Sequence, residues 1–163
     1  MKIRVLGVDP GKTGAYSLID VTTKKIEYGA FPLYPNDEID PATFYKELLY
    51  LKPTHISIED VHSIFGTSAK SNFSFGKSVG IAQAICSVMN LPTEFVKPKE
   101  WQKQVWTGVR VKNPKINSLT TAVHLFPKES FLRNERCKTP HDGIVDATLI
   151  AYYGTLKLSA YGH

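Results

Sequence analysis

The sequence predicts a single α/β domain, residues 1–163, built on a five-stranded mixed sheet flanked by helices. Three observations carry that expectation. A chain of 163 residues suffices for one domain with a sizeable core and is too short for two ordinary ones. Hydrophobic residues make up 42% of it and charged residues 21%, values that exclude a disordered or fibrous chain. Strand-like and helix-like segments follow one another with no internal repeat, low-complexity tract or interdomain linker.

Lys2 to Asp9 reads as the first strand. Ile3, Val5 and Gly7 share one side with Asp9, while Leu6 and Val8 point the other way, and apolar residues on both faces mark a central strand. Turn residues follow from Pro10 to Gly14. Ala15 to Asp20 and Lys25 to Phe31 are the next strands, and their short polar connector predicts an antiparallel meander. After a loop from Pro32 to Asp40, Ala42 to Leu51 has Phe44, Leu48 and Leu51 at helix spacing, and Pro53 ends it. His55 to Asp60 is a fourth strand, alternating Ile56 and Ile58 with Ser57 and Glu59. Ser63 to Ser74, rich in Ser, Gly and Phe, is expected to be a mobile loop. Phe75 to Met89 is a helix with Val79, Ala82, Ile85, Cys86 and Met89 on its apolar side. Thr93 to Val96 is the fifth strand, and Lys99 to Val105 a short helix after Pro98. Ile116 to Phe126 and the long, largely apolar Asp142 to Leu158 complete the series as helices.

The longest mostly apolar stretch, Val79 to Met89, contains Gln83 and Ser87 and falls far short of the roughly 20 residues of a membrane span. Met1 leads straight into a strand, so no secretory signal is expected. Cys86 and Cys137 fit no metal or redox spacing, and a reduced cytoplasmic setting is the expectation.

The formal net charge is +5. The segment 97–115 holds Lys97, Lys99, Lys103, Arg110, Lys112 and Lys115 against Glu100 alone, so it carries as much net charge as the whole chain. Both tryptophans, Trp101 and Trp106, lie in it. A local basic patch is what a polyphosphate backbone would meet, although a solvated basic loop has the same composition.

Four acids fall where a sheet could gather them. Asp9 and Glu59 end the first and fourth strands, and Asp142 and Asp146 share a face at the start of the last helix. If the two strands are neighbours, the helix needs only to dock its first turn on their common edge. Each acid has an ordinary explanation: Asp9 a turn, Glu59 a solvated strand end, Asp142 a helix cap. Asp146 is harder to dismiss, because Val145, Ala147, Leu149, Ile150 and Ala151 surround it and a buried carboxylate needs a partner. Together the acids point to a divalent cation, with Mg²⁺ the natural hard ion and Mn²⁺ the alternative. Two such ions would suit phosphodiester hydrolysis. His141 is a ligand or proton carrier on this view, or else a plain loop histidine.

Four segments resemble the RuvC-type Holliday junction resolvases. They are Gly7 to Gly14, Ile58 to Val61, Phe75 to Ala82 followed by Leu91 to Pro98, and His141 to Ala147. They stand in family order, and the similarity runs from about Ile3 to about Tyr153. The short length resembles the phage-encoded branch. The resemblance implies a ribonuclease H-like fold, a homodimer without membrane association, and paired nicking of four-way DNA junctions with divalent metal. It implies Asp9, Glu59, Asp142 and Asp146 as metal-binding residues. The family commonly places its last two ligands three residues apart, where this chain has Gly143, so Asp142 or His141 must take that role. Lys103 and Lys115 match the family's basic residues near the scissile phosphate. Phe65, Phe73 and Phe75 are candidates for wedging into a junction, where stacking contributes about 1–3 kcal/mol per base. The helix 75–89 would supply the dimer face or else serve only as a core helix. The resemblance places the protein in the cytoplasm of a prokaryote or phage-infected cell.

Two other readings share features with this one. An actin-like or sugar-kinase-like nucleotide binder also opens with strand, Asp and glycine turn, but needs two such domains. A nuclease of the same fold acting on ribosomal RNA differs in substrate alone.

Overall fold

The computed structural model describes residues 2–11, 13–62, 66–106 and 111–160. Its strands are β1 (Arg4–Asp9), β2 (Ala15–Asp20), β3 (Ile26–Ala30), β4 (His55–Glu59) and β5 (Thr93–Val96). Its helices are α1 (Pro41–Leu51), α2 (Ala69–Val88), α3 (Pro98–Val105), α4 (Pro114–Leu125) and α5 (Asp142–Ala160). The strands form one mixed sheet in the order β3-β2-β1-β4-β5.

The turn after β1 and the short link after β2 make β1, β2 and β3 an antiparallel meander, as their brevity dictates. The helices α1 and α2 then act as crossovers, so β4 pairs parallel to β1 and β5 parallel to β4. Gly7 stands opposite Ser57 and Val8 opposite Ile58. The next residues, Asp9 and Glu59, therefore end neighbouring parallel strands at the same edge and with the same parity.

The two faces of the sheet bury different layers. Leu6, Val8, Leu18, Ile56 and Ile58 pack against Phe44 and Leu48 of α1 and against Ala82, Ile85 and Cys86 of α2. On the other face, α5 lies across β1 and β2, and α3 and α4 pack beside it. Trp101, Ala122, Phe131, Ile144, Leu149 and Ile150 fill this second layer. The burial of β1 and β2 on both sides accounts for their nearly unbroken apolar runs.

Two helices begin more than one residue away from the sequence expectation. The segment expected as a mobile loop up to Ser74 is helical from Ala69, so α2 begins six residues before Phe75. Ser68 caps it, its hydroxyl accepting the Ser71 N–H at 3.1 Å. Ser, Asn and Gly are weak helix formers singly, but the buried turns from Val79 onward have already met the nucleation cost, and each added residue need only propagate. Similarly, α4 starts at Pro114 behind an Asn113 cap, two residues earlier than its apolar spacing suggests.

Candidate active site

The edge of the sheet where β1 and β4 end lies beneath the first turns of α5. Asp9 follows the Gly7 side of β1, which faces α5, and its Oδ1 accepts the Gly11 N–H at 3.0 Å. The expected Asp-Pro-Gly turn therefore forms, and it orients the carboxylate as well. Burial holds the Asp9 carboxyl well above the usual carboxylate range, and the charges of Glu59 and Asp146 push it further up.

Glu59 accepts the Trp101 indole N–H on Oε1 at 2.8 Å. Burial pushes this carboxyl up to about 7 against the opposing effect of that hydrogen bond, and the Asp146 charge adds to the rise. Asp146, on the second turn of α5, is pushed up to about 6 by burial, while the Ser118 hydroxyl beside it acts in the opposite direction. Its Oδ1 is buried and has no hydrogen-bond partner among the described residues. Asp9 thus senses the charges of Glu59 and Asp146, and Glu59 that of Asp146, across β1, β4 and α5.

Asp142 stands at the rim. Its side chain is 55% exposed and pairs with the Lys115 ammonium at 2.5 Å. Together with Pro140, Val145 and Asp146 these two residues line a small cleft at the start of α5. His141 caps the helix: its Nδ1 accepts the Ile144 N–H at 3.2 Å. Burial, and then the Arg133 charge, lower the pKa of the imidazole. A neutral ring that accepts at Nδ1 carries its proton on Nε2, where it is a donor and not a metal ligand. His141 thus engages one ring nitrogen at the start of α5, while Asp142 presents its carboxylate to Lys115 at the rim.

The position itself is closed to an acid. A Cβ on Gly143 would lie 2.4 Å from the Thr13 carbonyl oxygen and 3.3 Å from Asp9 Oδ2. The loop after β1 comes so near to α5 that only glycine fits.

The donor set suits a hard divalent cation: several carboxylates, mutual repulsion, and an orphaned buried oxygen on Asp146. Among the described residues, no three His, Cys, Asp or Glu side chains already stand in a metal-binding group. A cation would have to draw the carboxylates inward.

The basic segment borders this site. Lys97 precedes α3, Lys99 and Lys103 lie exposed on it, and Lys112 and Lys115 are exposed around the start of α4. Phe73 is 77% exposed, but it sits in the first turns of α2 rather than in a loop. Phe75 is half-buried. Arg110 and Phe65 lie outside the described residues.

The role of the tryptophans was not legible from composition. Grouped with the lysines, Trp101 resembles a surface residue for nucleic acid, yet it is fully buried and serves Glu59. Trp106 meets it edge to face, with ring centroids 6.1 Å apart, and its indole N–H donates to Ser118 Oγ at 3.3 Å. The available signal was the four-residue spacing of Trp101 and Val105, which puts both on the inner face of α3.

No protein-family model and no curated protein matches the chain. Solved structures do. Thermus thermophilus RuvC in complex with a Holliday junction substrate aligns with a TM-score of 0.68 at 14% identity, over 97% of this chain and 96% of that one. The fowlpox virus Holliday junction resolvase aligns with a TM-score of 0.60 at 15% identity, over 96% of this chain and 99% of its own. The yeast mitochondrial Holliday junction resolvase aligns with a TM-score of 0.54 at 17% identity, over 96% of this chain and 81% of that one. The chain therefore has the fold of the RuvC-type resolvases, with the expected mixed sheet and flanking helices.

Proposed function

We propose that this protein is a divalent-metal-dependent endonuclease that cuts four-way and other branched DNA by paired phosphodiester hydrolysis, acting as a homodimer. The observation that carries the reading is the convergence of Asp9, Glu59 and Asp146 under α5, each carboxyl raised by burial, Asp9 further by the charges of Glu59 and Asp146, and Glu59 further by that of Asp146. That such a site lies in a fold shared with a RuvC solved on a Holliday junction supports branched DNA as the substrate.

Asp9, Glu59 and Asp146 would hold the metal, with Asp142 joining them from the rim. Bound there, one or two Mg²⁺ or Mn²⁺ ions would supply an activated water and charge neutralisation at the leaving oxygen. The chain's own residues bring the phosphate to that point. Lys115 stands beside Asp142 at the mouth of the site, and Lys103 lies exposed on the adjoining helix. Both would pair with backbone phosphates, which fix position without reading sequence. Products with 5′-phosphate and 3′-hydroxyl ends are expected.

Two-fold pairing would use the outer face of α2. Phe73 and Val88 are 77% and 65% exposed, and Gly76 and Gly80 face open space between them. A four-way junction has approximate two-fold symmetry, so a two-fold protein can present identical sites to opposite strands. Phe73, near the N-terminal end of that face, would reach into the junction and stack there.

The test is incubation with an end-labelled immobile junction, with and without Mg²⁺, and mapping of the cuts. Symmetric metal-dependent nicks near the branch point are expected, and the Asp146→Asn protein should bind the junction without cutting it. Saturable ATP binding with no cleavage would refute the reading. Preferential cutting of structured RNA in competition would move it to the RNA-processing alternative. Sedimentation of wild type against Gly80→Arg tests the dimer, since the open space at Gly80 admits the side chain in a monomer.

A further inference from the structure

We infer that Trp101 and Trp106 are positioning residues that tie the basic helices α3 and α4 to the carboxylate cluster. Trp101 would act by holding one oxygen of Glu59, and Trp106 by holding Ser118 behind Asp146. This rests on the metal-dependent nuclease reading above and extends it to two residues that touch neither metal nor DNA.

A buried indole N–H needs an acceptor. Trp101 has no exposed surface, and its acceptor is Glu59 Oε1 at 2.8 Å. That oxygen is thereby engaged from the protein side, leaving Oε2 as the atom able to turn toward a cation. Trp106 stands edge-on to Trp101 with an interplanar angle of 83°, and it donates to Ser118 Oγ at 3.3 Å. Ser118 is 3% exposed, and its hydroxyl bears on Asp146. A continuous series therefore runs Glu59, Trp101, Trp106, Ser118, Asp146 beneath the helices whose outer surfaces carry Lys99, Lys103 and Lys115. Hydrogen bonds to ligating carboxylates fix their orientation, and losing such a partner typically weakens metal binding about 10–100-fold.

The experiment is calorimetric titration of Mn²⁺ into wild type, Trp101→Phe and Trp106→Phe, below the thermal transition of each. Trp101→Phe keeps most of the ring volume but removes the donor. The expected result is a Mn²⁺ Kd raised about 10–100-fold in Trp101→Phe, with metal-free junction affinity within about twofold of wild type. A lowered melting temperature with unchanged Mn²⁺ affinity would mean that the ring is only packing, and would overturn the inference.

If Trp101→Phe does not fold, the Trp106→Phe protein leaves Trp101 as the sole tryptophan. Paramagnetic Mn²⁺ should then quench its emission, and the added change Glu59→Gln should abolish the quenching. Emission untouched by bound Mn²⁺ would also overturn the inference. A wild-type protein that binds no Mn²⁺ would instead refute the nuclease reading beneath it, so the two failures are distinguishable.

Discussion

Gly7 of β1 lies directly against Ala147 of α5, so close that a Cβ on the glycine would fall 2.1 Å from the Ala147 carbonyl oxygen. The same atom would lie 2.4 Å from the Ala151 backbone nitrogen, so neither neighbour is a flexible side chain able to give way. This contact sets how deeply α5 seats on the sheet. Asp9 follows Gly7 by two residues and Asp146 precedes Ala147 by one, so it also sets the approach of the two carboxylates.

Gly7→Ala should therefore damage stability and activity together. Overpacking of this kind costs about 1–3 kcal/mol and more where backbone must move. Urea unfolding is expected to show that loss, and residual cleavage per folded molecule should fall because α5 is lifted from β1. A variant with wild-type stability would show that the helix can shift without strain.

Restoring the family's acidic spacing should fail. Gly143→Asp would place a carboxylate three residues before Asp146, but its Cβ would meet the Thr13 carbonyl at 2.4 Å. Cleavage is expected to drop rather than rise, and Gly143→Ala should show most of the same loss. Improved Mg²⁺ affinity in Gly143→Asp, read by calorimetry, would contradict this geometry.

Without metal, stability should fall as pH rises. Burial raises Glu59 to about 7 and Asp146 to about 6 in the folded chain, above their ordinary values of 4.5 and 3.8. The folded state then binds protons more tightly than the unfolded state. The stabilising effect is complete below about pH 4 and is lost as pH rises toward 7. Melting in EDTA should thus decline between about pH 4.5 and 7 on account of these groups, and added Mg²⁺ should restore stability near neutral pH. An EDTA melting temperature that climbs through this range would count against a buried carboxylate cluster.

Lys115 should matter for DNA and not for folding. Its pair with Asp142 is exposed on both sides, at 72% and 55%, where solvent screens the attraction. Lys115→Ala is expected to melt with wild type. It should bind junctions more weakly and lower the slope of log affinity against log salt by about 1. An unchanged slope would remove Lys115 from the DNA-contacting set.

Much of this site is legible in the sequence. Strand periodicity put Asp9 and Glu59 at strand ends, and helix periodicity put Asp142 and Asp146 on one face. Those are local properties, because the twofold and 3.6-fold repeats are imposed by the backbone itself. The tertiary structure decided which strands became neighbours, how near α5 comes to β1, and what each polar group meets. That is why the extra turns of α2, the cap made by His141, the closed position at Gly143 and the service of Trp101 to Glu59 emerged only there. The first two rest on local backbone and cap bonds held in place by the packing of α2 and α5. The last two depend on atoms distant in sequence, where burial and contact, not spacing along the chain, set the energy.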